Sequence, residues 1–307
     1  MEHELIDWLR TQLPEHPRLQ VGIGDDAAVL DLARSAGAIV TTDMLMDGVD
    51  FRLGEVNPRR VGRKALAVNL SDLAAMSARP VAAVVALALP SRGGLELAKQ
   101  LYAGLLPLAA EHELAIAGGD TNSWDAPLAI SITAIGVATP RGPLLRSGAR
   151  PGDAVLVTGA FGGSLAGRHL DFAPRVAEAL LLHERYELQA GIDVSDGLSL
   201  DLARLATASG CGAVIDVSRV PIAPAAIEMS RADGRSPLDH ALGDGEDFEL
   251  ILAAAQDVAR RIVAEQPLGV PVTQIGEFVA APGLWQRDAA GNIVPLAPRG
   301  FEHRLDG

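Results

Sequence analysis

A single cysteine, Cys211, excludes an internal disulfide framework and any cysteine-ligated zinc or iron–sulfur site within one chain. Lysine is nearly missing: Lys64 and Lys99 are the only two. A P-loop needs Gly-Lys-Ser/Thr, and Lys64 follows Arg63, so nucleotide binding of that kind is excluded. Long apolar runs are absent too. The best, Val81 to Leu89, is far short of the roughly 20 residues that span a bilayer. The start, Met1-Glu2-His3-Glu4-Leu5, is acidic and lacks the apolar stretch of a secretory signal, so a soluble cytoplasmic protein is expected. Positive charge is in deficit as well, with 26 Lys and Arg against 39 Asp and Glu and a net charge of −13. Nucleic acid and anionic membranes would meet a repulsive average field. No His-Glu-x-x-His zinc motif or Gly-x-Ser-x-Gly nucleophile elbow occurs.

What is present is apolar surface in plenty. With 49% hydrophobic residues over 307 positions the chain can bury a sizeable core, and its length suggests about two domains. Short Val- and Ile-rich runs alternate with polar loops and helix-like stretches, the pattern of an α/β or α+β fold. Ala38 to Val40, Ala65 to Leu70 and Leu114 to Ile116 read as strand-like or apolar runs ending in an aspartate. Gly94 to Ala110 has helical spacing, and Ala129 to Val137 reads as a strand. Turn formers crowd Thr139 to Asp153, which predicts a boundary between a domain at 1–138 and another at 150–307. In the second unit the expected elements are a strand at Ala154 to Thr158, a glycine turn Gly159 to Gly163 leading into a helix from about Ser164, and a helix from Leu198 to Ser209. Strands at Ala213 to Val217 and Phe248 to Ala253 complete it.

The most informative set is Asp25, Asp26, Asp43, Asp72, Asp120, Asp193 and Asp196, each read as sitting in a small-residue loop beside a strand. Converging carboxylates demand counter-cations, and hard oxygen ligands select Mg²⁺, Ca²⁺ or Mn²⁺ over zinc. Any one of them could instead be a helix cap or turn residue. Phosphate would have to be held by metals on aspartates, by backbone N–H groups or by arginines; the Gly159 to Gly163 turn could supply N–H groups or be only a tight connection. Met44, Met46 and Met76 are expected to pack, Cys211 to fill a small core space, and His112 and His183 to be solvated.

Taken in order, Gly22-Ile23-Gly24-Asp25-Asp26-Ala27-Ala28, Thr41-Thr42-Asp43-Met44-Leu45, the stretch Lys64 to Met76, Gly118-Gly119-Asp120-Thr121, Arg146-Ser147-Gly148-Ala149, Ile192 to Gly197 and Gly245-Glu246-Asp247-Phe248-Glu249-Leu250 resemble the thiamine-monophosphate kinases over most of the chain. The resemblance implies a two-domain fold of mixed sheets shared with aminoimidazole ribonucleotide synthetase, a homodimer, several Mg²⁺ ions, and transfer of the ATP γ-phosphoryl group to thiamine monophosphate. By the same resemblance the metal ligands are Asp26, Thr41, Thr42, Asp43, Asp72, Asp120, Asp193 and Asp196, with Asp43, Asp72 and Asp120 the catalytic core. ATP contacts fall on Gly119, Asp120, Arg146 and Ser195, and substrate contacts on Glu246, Asp50 and Phe301. The chain departs from the family pattern at Asp50, where histidine is usual, and at Phe301, where tyrosine or tryptophan is usual. Rival readings are an ATP-dependent synthetase of the same superfamily with another small acceptor, and a metal-stabilised binding protein without turnover.

Overall fold

The computed structural model describes residues 19–21, 28–33, 36–288 and 290–302. The first sheet contains β1 (Leu19–Val21), β2 (Ala28–Ala33), β3 (Ala36–Met46), β4 (Ala78–Pro90), β5 (Ala115–Trp124) and β6 (Ala129–Ala138), in the spatial order β1-β2-β3-β6-β4-β5. Only β4 and β5 run parallel, because the helix α2 (Gly94–Glu111) carries the chain back between them. The second sheet contains β7 (Ala154–Thr158), β8 (Leu188–Asp193), β9 (Gly212–Asp216), β10 (Leu250–Ala254), β11 (Val272–Val279), β12 (Gly283–Arg287) and β13 (Ile293–Pro295), ordered β13-β12-β9-β11-β7-β10-β8. There β9 and β12 are the parallel pair. The architecture is therefore α/β (α+β), with two mixed sheets.

Between the sheets lies α1 (Pro58–Ala75). Asn57 caps it by accepting the Arg59 N–H at 2.9 Å, and Pro58 supplies the preset φ of a first helical residue. Thirteen of its 18 residues are buried, so it is enclosed rather than amphipathic. It packs on β3, β4 and β6 of the first sheet and on β8 and α3 (Val176–Arg185) of the second. One apolar core thus runs through both, joining Ile39, Leu66, Leu70 and Ile132 to Leu156, Leu182 and Leu250. A second core fills the far face of the second sheet, where Val155, Val157 and Ile251 meet Leu202 and Leu205 of α4 (Leu198–Ala208). Cys211 packs there, as expected.

Several expectations need correcting. Ala65 to Leu70 is the middle of α1, not a strand; a short continuous apolar run has no periodicity that separates a buried helix from a buried strand. Asp43 and Asp120 sit inside β3 and β5 rather than in loops after them, and Asp72 sits in α1. After Gly163 the chain forms two 3₁₀ turns, Ser164–Ala166 and Arg168–Leu170, and no α-helix before Val176. Met76 is buried, but Met44 and Met46 are 61% and 41% exposed. His183 is buried, with Nε2 placed 3.1 Å from the Gly142 carbonyl.

The α1–α2 crossing brings backbone against backbone: a Cβ at Gly62 would run into the Leu101 carbonyl, and one at Gly104 into that of Arg59. Gly62→Ala should therefore lower stability by about 1–3 kcal/mol, the range for forcing atoms into a packed core. Thermal unfolding checks this, and an unchanged midpoint would contradict the close crossing.

Candidate active site

Because α1 is enclosed, its polar side chains need partners inside the protein. Thr41 Oγ1 on β3 donates to Asp72 Oδ2. Ser71 Oγ donates to Asp193 Oδ2, at the end of β8, at 2.6 Å. Lys64 Nζ donates to Glu246 Oε1 at 2.6 Å and to the Asp50 carbonyl at 3.1 Å. One helix therefore links the first sheet, the β3–α1 connection, and the end of β8 and one loop of the second sheet. Strand alternation puts Asp43 on the same face of β3 as Thr41, toward α1.

The second-sheet loops are fastened to one another by main-chain bonds. Glu246 N donates to the Ser195 carbonyl at 2.6 Å, Phe248 N to that of Val194 at 2.8 Å, and Val194 N to that of Glu249 at 2.8 Å. This zipper holds Glu246 and Phe248 at φ of 53° and 52°, a left-handed conformation that costs a non-glycine residue about 1 kcal/mol or more and that gathers at functional sites. Phe301 N donates to the Asp196 carbonyl at 2.9 Å, which brings the C-terminal segment to the same loop. Asp201, in the first turn of α4, accepts the N–H groups of Asp196 and Gly197 at 2.9 and 3.0 Å, and Arg204 bridges the Asp196 and Asp201 carboxylates. Burial, and secondarily the Asp196 charge, pushes the Asp201 carboxyl up to about 7. The Arg146 carbonyl accepts Ser209 Oγ at 2.8 Å, fixing that turn beside the end of α4.

Sequence-derived candidates thus gather in two groups around α1: Thr41, Asp43, Asp72 and Asp193, and then Ser195, Asp196, Glu246, Phe301 and Asp50. Asp50 is held by its own turn, its Oδ2 accepting the Met46 N–H at 2.7 Å. Other candidates bond elsewhere on the first sheet. Thr42 faces away from α1 and bonds with Thr133 Oγ1 at 2.9 Å. Gly119 and Asp120 lie on the exposed edge strand β5, where Asp120 aligns with Ala86 of β4 and its Oδ1 accepts the Thr121 N–H at 2.9 Å. Asp25 and Asp26 lie outside the described residues. Among the described residues no three His, Cys, Asp or Glu side chains are gathered as a ready-made metal site. The donor set at α1 is nevertheless all oxygen, carboxylates beside hydroxyls, which suits Mg²⁺. That ion is ordinarily held by one or two carboxylates together with phosphate oxygens and water. The Gly159 to Gly163 turn is a tight connection: Gly159 N, Phe161 N and Gly162 N donate to Pro271, Pro221 and the Asp247 carboxylate.

The family "AIR synthase related protein, N-terminal domain" matches residues 24–138, and "AIR synthase related protein, C-terminal domain" matches residues 150–284. A thiamine-monophosphate kinase of Rhodopirellula baltica is 46% identical, covering 99% of this chain and 97% of its own. The chain belongs to the thiamine-monophosphate kinase family. Membership makes it a phosphotransferase. The solved structure of AaThiL complexed with AMPPCP and TMP matches with a TM-score of 0.81 at 27% identity, over 99% of this chain and 97% of that one. The thiamine-monophosphate kinase of Stenotrophomonas maltophilia K279a matches with a TM-score of 0.73 at 34% identity, over 92% and 95%.

Sequence reasoning gave no role to Lys64, Ser71, Asp201 or Arg204, nor to the ion network behind the family's Gly-Glu-Asp-Phe-Glu segment. In that network Arg175 grips Glu249 through Nε at 2.8 Å and Nη2 at 2.6 Å, and Thr158 adds a bond at 2.7 Å. Gly159, at φ of 60°, stands where a Cβ would strike the Glu249 carboxylate. Asp247 accepts from Gly162 N and from Arg168 Nη2 at 2.8 Å. Burial still outweighs those bonds and raises its carboxyl from 3.8 to about 7. The folded chain then holds a proton that the unfolded chain releases across that interval, so this contribution to stability is complete below the unfolded value and is lost as pH rises through about 7. Asp247→Asn cannot titrate. Its stability relative to wild type should improve as pH rises from 4 toward about 7 and level off above, read from denaturation midpoints at each pH. A difference that stays flat with pH would contradict the raised carboxyl.

Proposed function

We propose that this chain transfers the γ-phosphoryl group of ATP to thiamine monophosphate, giving thiamine diphosphate, with Mg²⁺ ions on an oxygen-only centre built around α1. The single observation that carries the assignment of the site is the meeting of Thr41 with Asp72 and of Ser71 with Asp193 on successive residues of one buried helix. Mg²⁺ bound there would supply positive charge to offset that of the phosphates. Asp43, Asp72 and Asp193 would hold it, with Thr41 beside them; by family likeness Asp26, Thr42, Asp120 and Asp196 join the set.

The remaining work falls to the chain's own side chains. Phosphoryl transfer needs chiefly position and charge compensation. Arg146, Ser195 and Gly119 are assigned to ATP. Glu246 and Phe301 flank the Ser195–Asp196 turn and are assigned to the acceptor, with Asp50 on the opposite side of Lys64. The attacking group is itself a phosphate, whose second pKa near 6 leaves it mostly dianionic at neutral pH, so no side chain is required as a base. We also propose residues 1–138 and 150–307 as the two domains, a cytoplasmic location and a homodimer. The outer face of the first sheet supports the dimer, since it leaves Met44, Met46, Val81, Val84 and Trp124 exposed, and β5 is an edge strand among the described residues. Among the described residues no helix is long and apolar enough to cross a membrane.

Incubation with Mg-ATP and either thiamine monophosphate or unphosphorylated thiamine, reading product mass, tests the reaction. Only the monophosphate should gain a phosphoryl group; thiamine converted equally well would overturn the assignment. Asp43→Asn and Asp120→Asn should each lose at least about 10²-fold in kcat, the scale of removing one electrostatic stabiliser, while keeping the wild-type circular dichroism spectrum. Wild-type turnover in either variant would remove that residue from the centre.

A further inference from the structure

The two lysines of this chain have opposite fates: Lys99 is exposed on α2, whereas the Lys64 side chain has no exposed surface at all. An ammonium in that position is tolerable only when paired. Lys64 places it between Glu246 Oε1 at 2.6 Å and the Asp50 carbonyl at 3.1 Å. Those are two of the residues assigned to the acceptor, one from each half of the chain. The rest of Glu246 is fastened as well: its N–H donates to the Ser195 carbonyl, and its own carbonyl accepts Ser164 Oγ at 2.6 Å. Its side chain is still 26% exposed, and among the described residues only Oε1 has a partner. The carboxylate is therefore held by one oxygen and presents the other.

We infer that Lys64 is the positioning residue of the acceptor site, fixing the Glu246 carboxylate and the Asp50 main chain against each other so that Glu246 Oε2 meets the acceptor in one orientation. This inference rests on the function proposed above. Lysine suits the task better than arginine, because a compact ammonium sends separate N–H groups to a carboxylate and to a carbonyl, while a planar guanidinium tends to engage one carboxylate through two donors. The role differs from that of a simple strut. A strut would affect stability and both substrates alike, whereas a residue that acts through Glu246 affects the acceptor alone.

The test uses the full chain in the Mg-ATP assay, together with calorimetric titration of thiamine monophosphate. Lys64→Met should raise KM and Kd for thiamine monophosphate about 10- to 100-fold, the factor attached to one charge-assisted hydrogen bond, and leave KM for ATP within about twofold. In a Glu246→Gln background the same substitution should add less than about twofold, because the group it positions is already altered. Lys64→Gln, which keeps a donor, should fall between wild type and Lys64→Met, and it replaces the latter should that variant not fold. An unchanged acceptor KM in a folded variant, equal rises for both substrates, or penalties that multiply in the double variant would each overturn the inference. So would failure of both neutral variants to fold while Glu246→Gln folds, since Lys64 would then be a strut. Absence of thiamine monophosphate turnover in the wild-type protein would instead count against the proposed function.

Discussion

Enclosing one helix on all sides is the constraint from which most of this structure follows. Helix α1 is wedged between two sheets, so its apolar residues join both sheets in one core, while three of its polar residues find partners across the gap and buried Asn69 turns back to the Ala65 carbonyl at 3.1 Å. Lys64, Ser71 and Asp72 find theirs on four different segments: the β3–α1 connection, β3, the end of β8 and the Gly245–Glu249 segment. A polar residue in that position is costly unless satisfied, so packing and site assembly are one event. The close approach of α2 through Gly62 and Gly104 sets how deep the helix can sit.

Charge is organised on the same principle. In a chain of net charge −13, several cationic groups near the site are already engaged: Arg175 and Arg168 with Glu249 and Asp247, Arg204 with Asp196 and Asp201, and Lys64 with Glu246. These pairs stiffen the loops that carry Ser195 and Glu246, and the main-chain zipper beside them holds Glu246 and Phe248 in left-handed backbone. A rigid acidic centre of this kind suits a reaction whose demands are position and charge compensation.

Much of the architecture was legible in the sequence because local signals agreed with tertiary packing. Ala154–Thr158 is a strand to the residue, and Gly94 to Ala110 and Leu198 to Ser209 are helices within a residue or so. The misreadings share a cause. Asp43, Asp72 and Asp120 follow apolar runs and so looked like the ends of strands, but two lie within strands and one within a helix whose all-round burial erases its periodicity. The ordered motifs identified the family, yet they could not say that Asp120 stands within an edge strand, since that depends on sheet order. Lys64 had a signal that went unused: a lysine inside an apolar run, in a chain with only one other, marks a buried charge.

The central claim is that α1 gathers groups from both sheets into one working centre. The most direct measurement is a double-mutant cycle on kcat with Asp72→Asn, on the helix, and Asp193→Asn, on β8 of the second sheet. If the two carboxylates act as a unit, the double variant should be little worse than the worse single variant. Losses that multiply would mean that Asp72 and Asp193 work independently, and would contradict a centre assembled by the helix.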